Sequence, residues 1–208
     1  MNSASALAVI VFAAALSGCA SKDLPSDQAK SLINGFFDQL PTTQQLLTGM
    51  DNIGTDTEAA YFAKPGGKYQ KAIEADGLIN IASKGKIFNP ANHAEYFNAL
   101  DITLTDKGKP FMTGTPVTVP APSKNTWPIV YQNAIFCGKE VATLGEVTTN
   151  DDTASAEYSW HAAKLTPFAD DFHKTDPTDK TTCNPDVKVN ATAAFERKNG
   201  VWALTVAQ

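Results

Sequence analysis

Ala154, Ala156, Tyr158, Trp160 and Ala162 alternate with Ser155, Glu157, Ser159 and His161. A period of two puts every apolar side chain on one face of an extended strand and every polar one on the other. Strands that bury a single face belong to antiparallel sheets packed on a core from one side. The pattern returns downstream, where Val187, Val189, Ala191, Ala193 and Phe195 alternate with Lys188, Asn190, Thr192 and Glu196. Lys198-Asn199-Gly200 then reads as a hairpin turn, because Asn and Gly tolerate positive φ. Trp202, Leu204 and Val206 continue the sheet beyond it. Ile129 to Cys137 and Glu140 to Thr148 supply two more strands, turned at Gly138-Lys139, and Asn150-Asp151-Asp152 makes the next turn. The stretch 129–208 is thus expected to be an antiparallel sheet of about five strands, with an irregular excursion from Leu165 to Asp186.

The front of the chain has a different period. Ala29, Leu32, Ile33, Phe36, Phe37 and Leu40 recur at helical spacing and predict a helix from Ser26 to Leu40. Ser26 is placed to cap it, Asp27 suits its positive end, and Pro41 stops it. Its polar face offers only Lys30 as a base, so the apolar face suits a core better than a membrane surface. Thr42 to Lys68 is mixed, with part helical around Thr57 to Phe62. Short helices are expected over Lys68–Ala75 and Asn92–Leu100, and short strands over Leu78–Ala82 and Asp101–Leu104. Pro116, Pro120, Pro122 and Pro128 crowd 114–128. That stretch reads as an extended linker or as a strap across one domain, and the change of pattern after it favours a boundary.

Residues 1–18 hold no Asp, Glu, Lys or Arg, and Ala6 to Leu16 is an unbroken apolar run. A helix of that length spans about 16 Å, against a hydrocarbon core of roughly 30 Å. It fits the apolar region of a secretory signal, followed by small residues. Leu16-Ser17-Gly18-Cys19 resembles the lipobox of bacterial lipoproteins. The resemblance implies cleavage before Cys19 and acylation of that residue, with residues 1–18 as signal peptide and 19–25 as a lipid-anchored tether. Ala20 stands where an Asp would resemble an inner-membrane retention signal, so the implied address is the outer membrane. An acyl anchor contributes about 0.8 kcal/mol per buried CH₂, so two or three chains hold stably where one does not.

With Cys19 assigned to lipid, Cys137 and Cys183 remain. An exported chain meets an oxidising compartment, so these two are expected to form a disulfide. Hydrophobic residues make up 43% and charged residues 19%, which marks a globular chain. The net charge of −5 argues against nucleic acid, whose phosphates call for clustered Lys and Arg.

"KAIEADGLINI" followed by "ITLTDKGKPFM" resembles the end of a winged-helix domain over 68–112. That resemblance implies a recognition helix, two wing strands and a Leu-Thr-x-x-Gly turn opening a further helix. It concerns shape only, since a lipid-anchored exported chain never meets the chromosome and Glu74, Asp76, Asp101 and Asp106 balance the bases. The whole chain is similar to uncharacterised proteobacterial envelope lipoproteins that pair a helical or winged-helix-like front with a C-terminal antiparallel sheet. The expected fold class is therefore α+β: a helical, winged-helix-like region over 26–113, a Pro-rich linker over 114–128 and an antiparallel β domain over 129–208.

Catalytic patterns are sparse. His93, His161 and His173 show no zinc-protease spacing, and no nucleophile elbow, P-loop or dinucleotide glycine fingerprint occurs. The one dense acidic stretch is Asp170-Asp171-Phe172-His173 with Asp176 and Asp179. Asp170, Asp171 and His173 are its candidate metal ligands, although an EF-hand spacing is missing and a solvated acidic loop is the plainer reading. Trp160 and Trp202 suit the sheet core, and Trp127 is the freer tryptophan. The chain therefore reads as a non-enzymatic envelope module, anchored by lipid, without cofactor or nucleic acid, that acts as a binding, scaffold or surface-antigen module toward an envelope protein or ligand. The competing reading is a lipid-anchored cell-wall hydrolase or metal-dependent enzyme using His161, His173 and the nearby aspartates.

Overall fold

The structure is a computed structural model and describes residues 22–54, 56–88, 96–119, 129–179 and 181–207. In chain order the elements are α1 (Ser26–Phe37), β1 (Thr42–Gly54), α2 (Glu58–Phe62), α3 (Pro65–Ala75), β2 (Ile79–Phe88) and β3 (Tyr96–Leu104). A short 3-10 turn (Lys109–Phe111) leads to β4 (Met112–Val119) and β5 (Ile129–Asn150). Then come β6 (Thr153–Ala163), α4 (Pro167–Thr175), β7 (Val189–Lys198) and β8 (Val201–Ala207). All ladders among the eight strands are antiparallel. The lipobox with Cys19, His93 and Trp127 lies outside the described residues. No helix among them is long and apolar enough to cross a membrane.

The chain forms two compact units, each assembled from separate stretches. The first takes the residues up to Pro41, Gly138–Ala163 and the residues from Asn184 onward; the second takes Thr42–Cys137 and Lys164–Cys183.

In the first unit, 138–150 of β5 pairs with β6, β6 with β7 and β7 with β8. The alternation along β6 does what its period dictates: Ala154, Ala156, Tyr158 and Ala162 are buried, while Ser155 and Glu157 are exposed. Helix α1 covers the apolar face. Ala29, Leu32, Ile33 and Phe37 pack with Val141, Tyr158, Phe195 and Trp202, and Trp160 joins from the edge. Burial of this face settles its role as core. The Val141 amide donates to the Asn34 side-chain oxygen (2.9 Å), which fastens helix to sheet. The helix stops at Phe37, earlier than the spacing suggests. Gln39 and Leu40 already make tighter bonds to the carbonyls of Phe36 and Phe37. Pro41 disfavours helical φ/ψ at the residue before it, and Leu40 ends up exposed. Asn199 and Gly200 both have positive φ and close the β7–β8 hairpin.

In the second unit, β3 lies between β2 and β1, and 129–137 of β5 lies between β1 and β4. Strand β1 changes partner along its length. Thr42–Thr48 pairs with β5 and Gly49–Gly54 with β3. Gly49 sits at the change with φ +90°, a left-handed conformation that glycine adopts freely. Ile73, Leu78, Ile79, Leu100, Ile102 and Phe168 are fully buried here. Tyr69, Phe136 and Phe172 stack in mutual edge or tilted contact, with ring centroids 5.7–6.3 Å apart. Cys137 and Cys183 form the disulfide expected of them.

This architecture corrects the expected fold class. The front of the chain is not a helical, winged-helix-like region preceding a sheet of about five strands. It interleaves β1, β2 and β3 with α1, α2 and α3, and eight strands run through the described residues. Residues 42–54 form β1, and 96–100, expected to be helical, open β3. A helix followed by two strands does occur as α3, β2 and β3. However, β3 also pairs with β1, so the two strands are sheet interior and edge rather than a wing. The "GL" and "LTDKG" motifs meet for a local reason. The Thr105 hydroxyl donates to the Gly77 carbonyl (2.6 Å), and the Thr105 amide to Leu78 (3.2 Å). Gly108 passes so close to the Leu78 carbonyl that a Cβ there would lie 2.1 Å from its oxygen. The motif opens only the 3-10 turn.

Two further expectations change. Gly138-Lys139 is not a turn: β5 continues through these residues, which pair with Ala163 and Ala162. The excursion after Leu165 contains α4, with Pro at its first position, Asp170 in the first turn and His173 and Lys174 in the last. The Pro-rich stretch begins as strand, with residues up to Val119 in β4, and 120–128 lie outside the described residues.

Candidate functional site

The polar face of the first unit's sheet carries a groove. Thr143 of β5, Glu157 and Ser159 of β6, and Asn190 and Thr192 of β7 line a cavity of about 520 Å³. These side chains meet because of cross-strand register. Thr143 is opposite Ser159, Ser159 opposite Asn190, and Glu157 opposite Thr192. Strand β5 reaches this register through two irregularities, between Val141 and Thr143 and between Leu144 and Val147. Bulges of this kind re-aim side chains and sharpen the local twist. Gly145 lies in the second. A Cβ there would sit 3.1 Å from the Glu157 carbonyl oxygen, so the close approach of the strands favours glycine.

The Thr143 and Ser159 hydroxyls are 2.6 Å apart, and Ser159 is buried. One of the two donates to the other, and the accepting hydroxyl keeps its own proton for a further bond. Asn190 contributes an amide and Glu157 a carboxylate on the exposed side. The lining is therefore rich in hydrogen-bond acceptors.

His161 lies on the same face, further along β6. Its Nε2 faces Glu140 Oε1 at 3.1 Å, and its Nδ1 faces the Pro185 carbonyl at 3.1 Å. A carbonyl only accepts, so Nδ1 donates here, and the carboxylate occupies the other nitrogen. Both ring nitrogens are thus engaged, and the hydroxyl of Ser159 is directed to Thr143 rather than to the imidazole.

The acidic stretch of the second unit behaves differently from a metal site. Asp170 is exposed. Asp171 is only 1% exposed, and its Oδ1 accepts from Lys174 Nζ at 2.8 Å. His173 donates through Nε2 to the Thr182 carbonyl at 2.6 Å. Asp176 accepts from the Thr178 amide and hydroxyl. Asp179 accepts from the Thr181 amide and hydroxyl and from the Thr182 amide at 2.8–3.0 Å. These bonds from Thr182 and Thr181 hold the Asp179 carboxyl well below the ordinary range. Among the described residues no group of three His, Cys, Asp or Glu side chains is placed to hold a metal ion. His161 and His173, which the competing enzymatic reading combines, belong to different units and have separate partners.

Asp171 is the anomaly in this region. Its second carboxylate oxygen is buried without a partner. Burial pushes its carboxyl up and the Asp76 carboxylate adds to that, while Lys174 opposes both. Burial, reinforced by Asp171, also pushes the Tyr69 phenol up. The sign for stability follows from linkage. An acid whose folded pKa exceeds its unfolded value binds its proton more tightly when folded. The cost of ionising it is therefore absent below the unfolded value, about 3.9, grows between that value and the folded one, and is constant above it. Asp171→Asn keeps an acceptor for Lys174 and removes that cost. Relative to wild type, the variant should gain stability as pH is raised from 4 and level off once Asp171 is ionised in the folded protein, with the two proteins closest at the acid end. Urea unfolding across a pH series measures this; a difference that stays flat with pH would contradict it.

No protein-family model matches the chain, and no curated protein or solved structure is significantly similar to it. The groove, rather than the acidic stretch, is the feature that sequence reasoning missed. Its residues are ordinary Ser, Thr, Asn and Glu, and only the strand register brings them together.

Proposed function

We propose that the protein is an envelope lipoprotein, anchored through acyl chains on Cys19, that acts as a non-enzymatic binding module. The groove on the polar sheet face carries this reading. It offers two paired hydroxyls, an amide and a carboxylate on rigid strands, without a nucleophile activated by a base. Such a lining suits a small polyol or amino sugar, whose hydroxyl and ammonium donors meet Glu157, Asn190 and the Thr143–Ser159 pair. The address rests on the lipobox resemblance, with the Cys137–Cys183 disulfide as support, since such bonds persist in oxidising compartments.

The test is a titration of the soluble chain beginning at Ala20 with oligomers of N-acetylglucosamine and glucosamine, followed by amide chemical shifts. Shifts should concentrate at Thr143, Glu157, Ser159 and Asn190. Glu157→Gln and Asn190→Ala should each weaken binding more than tenfold without changing the thermal midpoint by more than a few degrees. Shifts that map elsewhere, or none at millimolar sugar, would reject the groove as the binding site.

A further inference from the structure

The first described residues are not a loose tether. Leu24 is buried in the core of the first unit, and its amide donates to the Thr149 hydroxyl at 3.3 Å. Arg197 reaches back with Nη1 to the Lys22 carbonyl at 3.4 Å, and Lys22 Nζ lies 3.7 Å from Asp151 Oδ1. Arg197 is itself held in place. Its guanidinium binds Asp152 Oδ1 through Nε and Nη2 at 2.8 and 2.7 Å, its amide donates to the Asp152 carbonyl at 2.7 Å, and it lies over the Trp202 ring. The chain therefore enters the fold at one end of the sheet, beside the β5–β6 turn at Asp151-Asp152. The β7–β8 turn at Asn199-Gly200 is at that same end, because Thr153 pairs with Glu196.

We infer that this end of the sheet is the surface that faces the bilayer, a conclusion that rests on the lipid-anchor reading of Cys19. Two residues, Ala20 and Ser21, separate Cys19 from the docked Lys22, and the three extended Cα–Cα steps between them reach at most about 10 Å. An acylated Cys19 therefore holds Lys22 within about that distance of the headgroups, and with it the end of the sheet where Asp151 and Arg197 meet Lys22. The charges on this end nearly cancel, with Lys22, Arg197 and Lys198 against Asp151, Asp152 and Glu196. The short leash rather than charge attraction thus sets the orientation. The strands stand away from the membrane. Glu157 and Ser159 lie four to six residues up β6 from Thr153, which places the groove roughly 13–20 Å farther out at 3.3 Å per residue. A ligand reaches it from the side, clear of the lipid surface.

The test uses the lipidated full protein in vesicles of phosphatidylethanolamine and phosphatidylglycerol with a rhodamine-labelled headgroup. Single fluorophores are attached at Lys198→Cys, Glu157→Cys or Thr192→Cys. The native cysteines do not interfere, two being in the disulfide and the third in thioether linkage. Energy transfer to the headgroup should be strongest from position 198 and weaker from 157 and 192. Inserting ten Gly-Ser residues after Ala20 should erase that ranking. Equal or reversed ranking in protein that still floats with the vesicles overturns the orientation. A Cys19→Ser chain that still fractionates with membranes overturns the anchor itself, and with it the basis for the orientation.

Discussion

Phe195→Ala should remove about 3–5 kcal/mol from the stability of the first unit. Phe195 is 1% exposed in the middle of β7 and packs in the same cluster as Ile33, Tyr158 and Trp202. Its neighbours are themselves pinned. Ile33 belongs to a helix bonded to β5 through Asn34, and Trp202 lies in the adjoining hairpin strand under Arg197. A cavity opened there has little freedom to collapse, which places the cost toward the upper part of the range. Domains have only about 5–15 kcal/mol in total, so a large share of the reserve disappears. Urea unfolding followed by tryptophan fluorescence reads the loss. Lys198→Ala at the end of the same strand is the control and should stay within about 0.5 kcal/mol. A loss below about 1 kcal/mol for Phe195→Ala would mean that the α1–sheet cluster is not the core of this unit.

The second large effect is expected at the disulfide. Cys137 and Cys183 are 46 residues apart, and closing a loop of that size in the unfolded chain contributes about 4 kcal/mol in the chain-entropy model. Both sulfurs are buried, so a Cys137→Ala, Cys183→Ala double variant adds a packing defect to the lost constraint. The bond also closes the segment after α4, whose other ties include the His173–Thr182 contact and the Asp179 turn. The double variant should therefore lose about 4 kcal/mol or more and become open to proteolysis between 176 and 183. If the midpoint of unfolding is unchanged and the segment still resists cleavage, the bond is not a structural clamp.

The parts of the fold that were legible in the sequence are those with an unbroken local period. The β6 alternation, the Asn199-Gly200 turn and the α1 stripe each state their conformation within a dozen residues. Strand β1 was illegible because its buried positions, Leu46, Thr48 and Ile53, are interrupted by a glycine kink and by polar neighbours. Its two halves also serve different ladders. Gly138 misled for the opposite reason. Glycine marks turns, yet here the strand only changes partners. A turn there would have folded Glu140 back along β5, whereas the continuing strand sets it opposite His161. Helix α4 carried its own start and stop residues, but its buried Asp171 breaks the apolar stripe and made the segment read as loop. The groove has no local signature at all, since its lining is defined by register across three strands and by two bulges.

The docking of residues 22–24 on a strand near the far end of the chain also constrains when the molecule can fold. Arg197 and Lys22 are 175 residues apart, and α1 has its apolar face covered only when β7 and β8 are in place. Contacts of such sequence separation form late, because the intervening chain must lose its freedom before they give anything back. The first unit of an emerging polypeptide therefore has no finished core until the last strands are available, whereas the second takes no residue beyond Cys183.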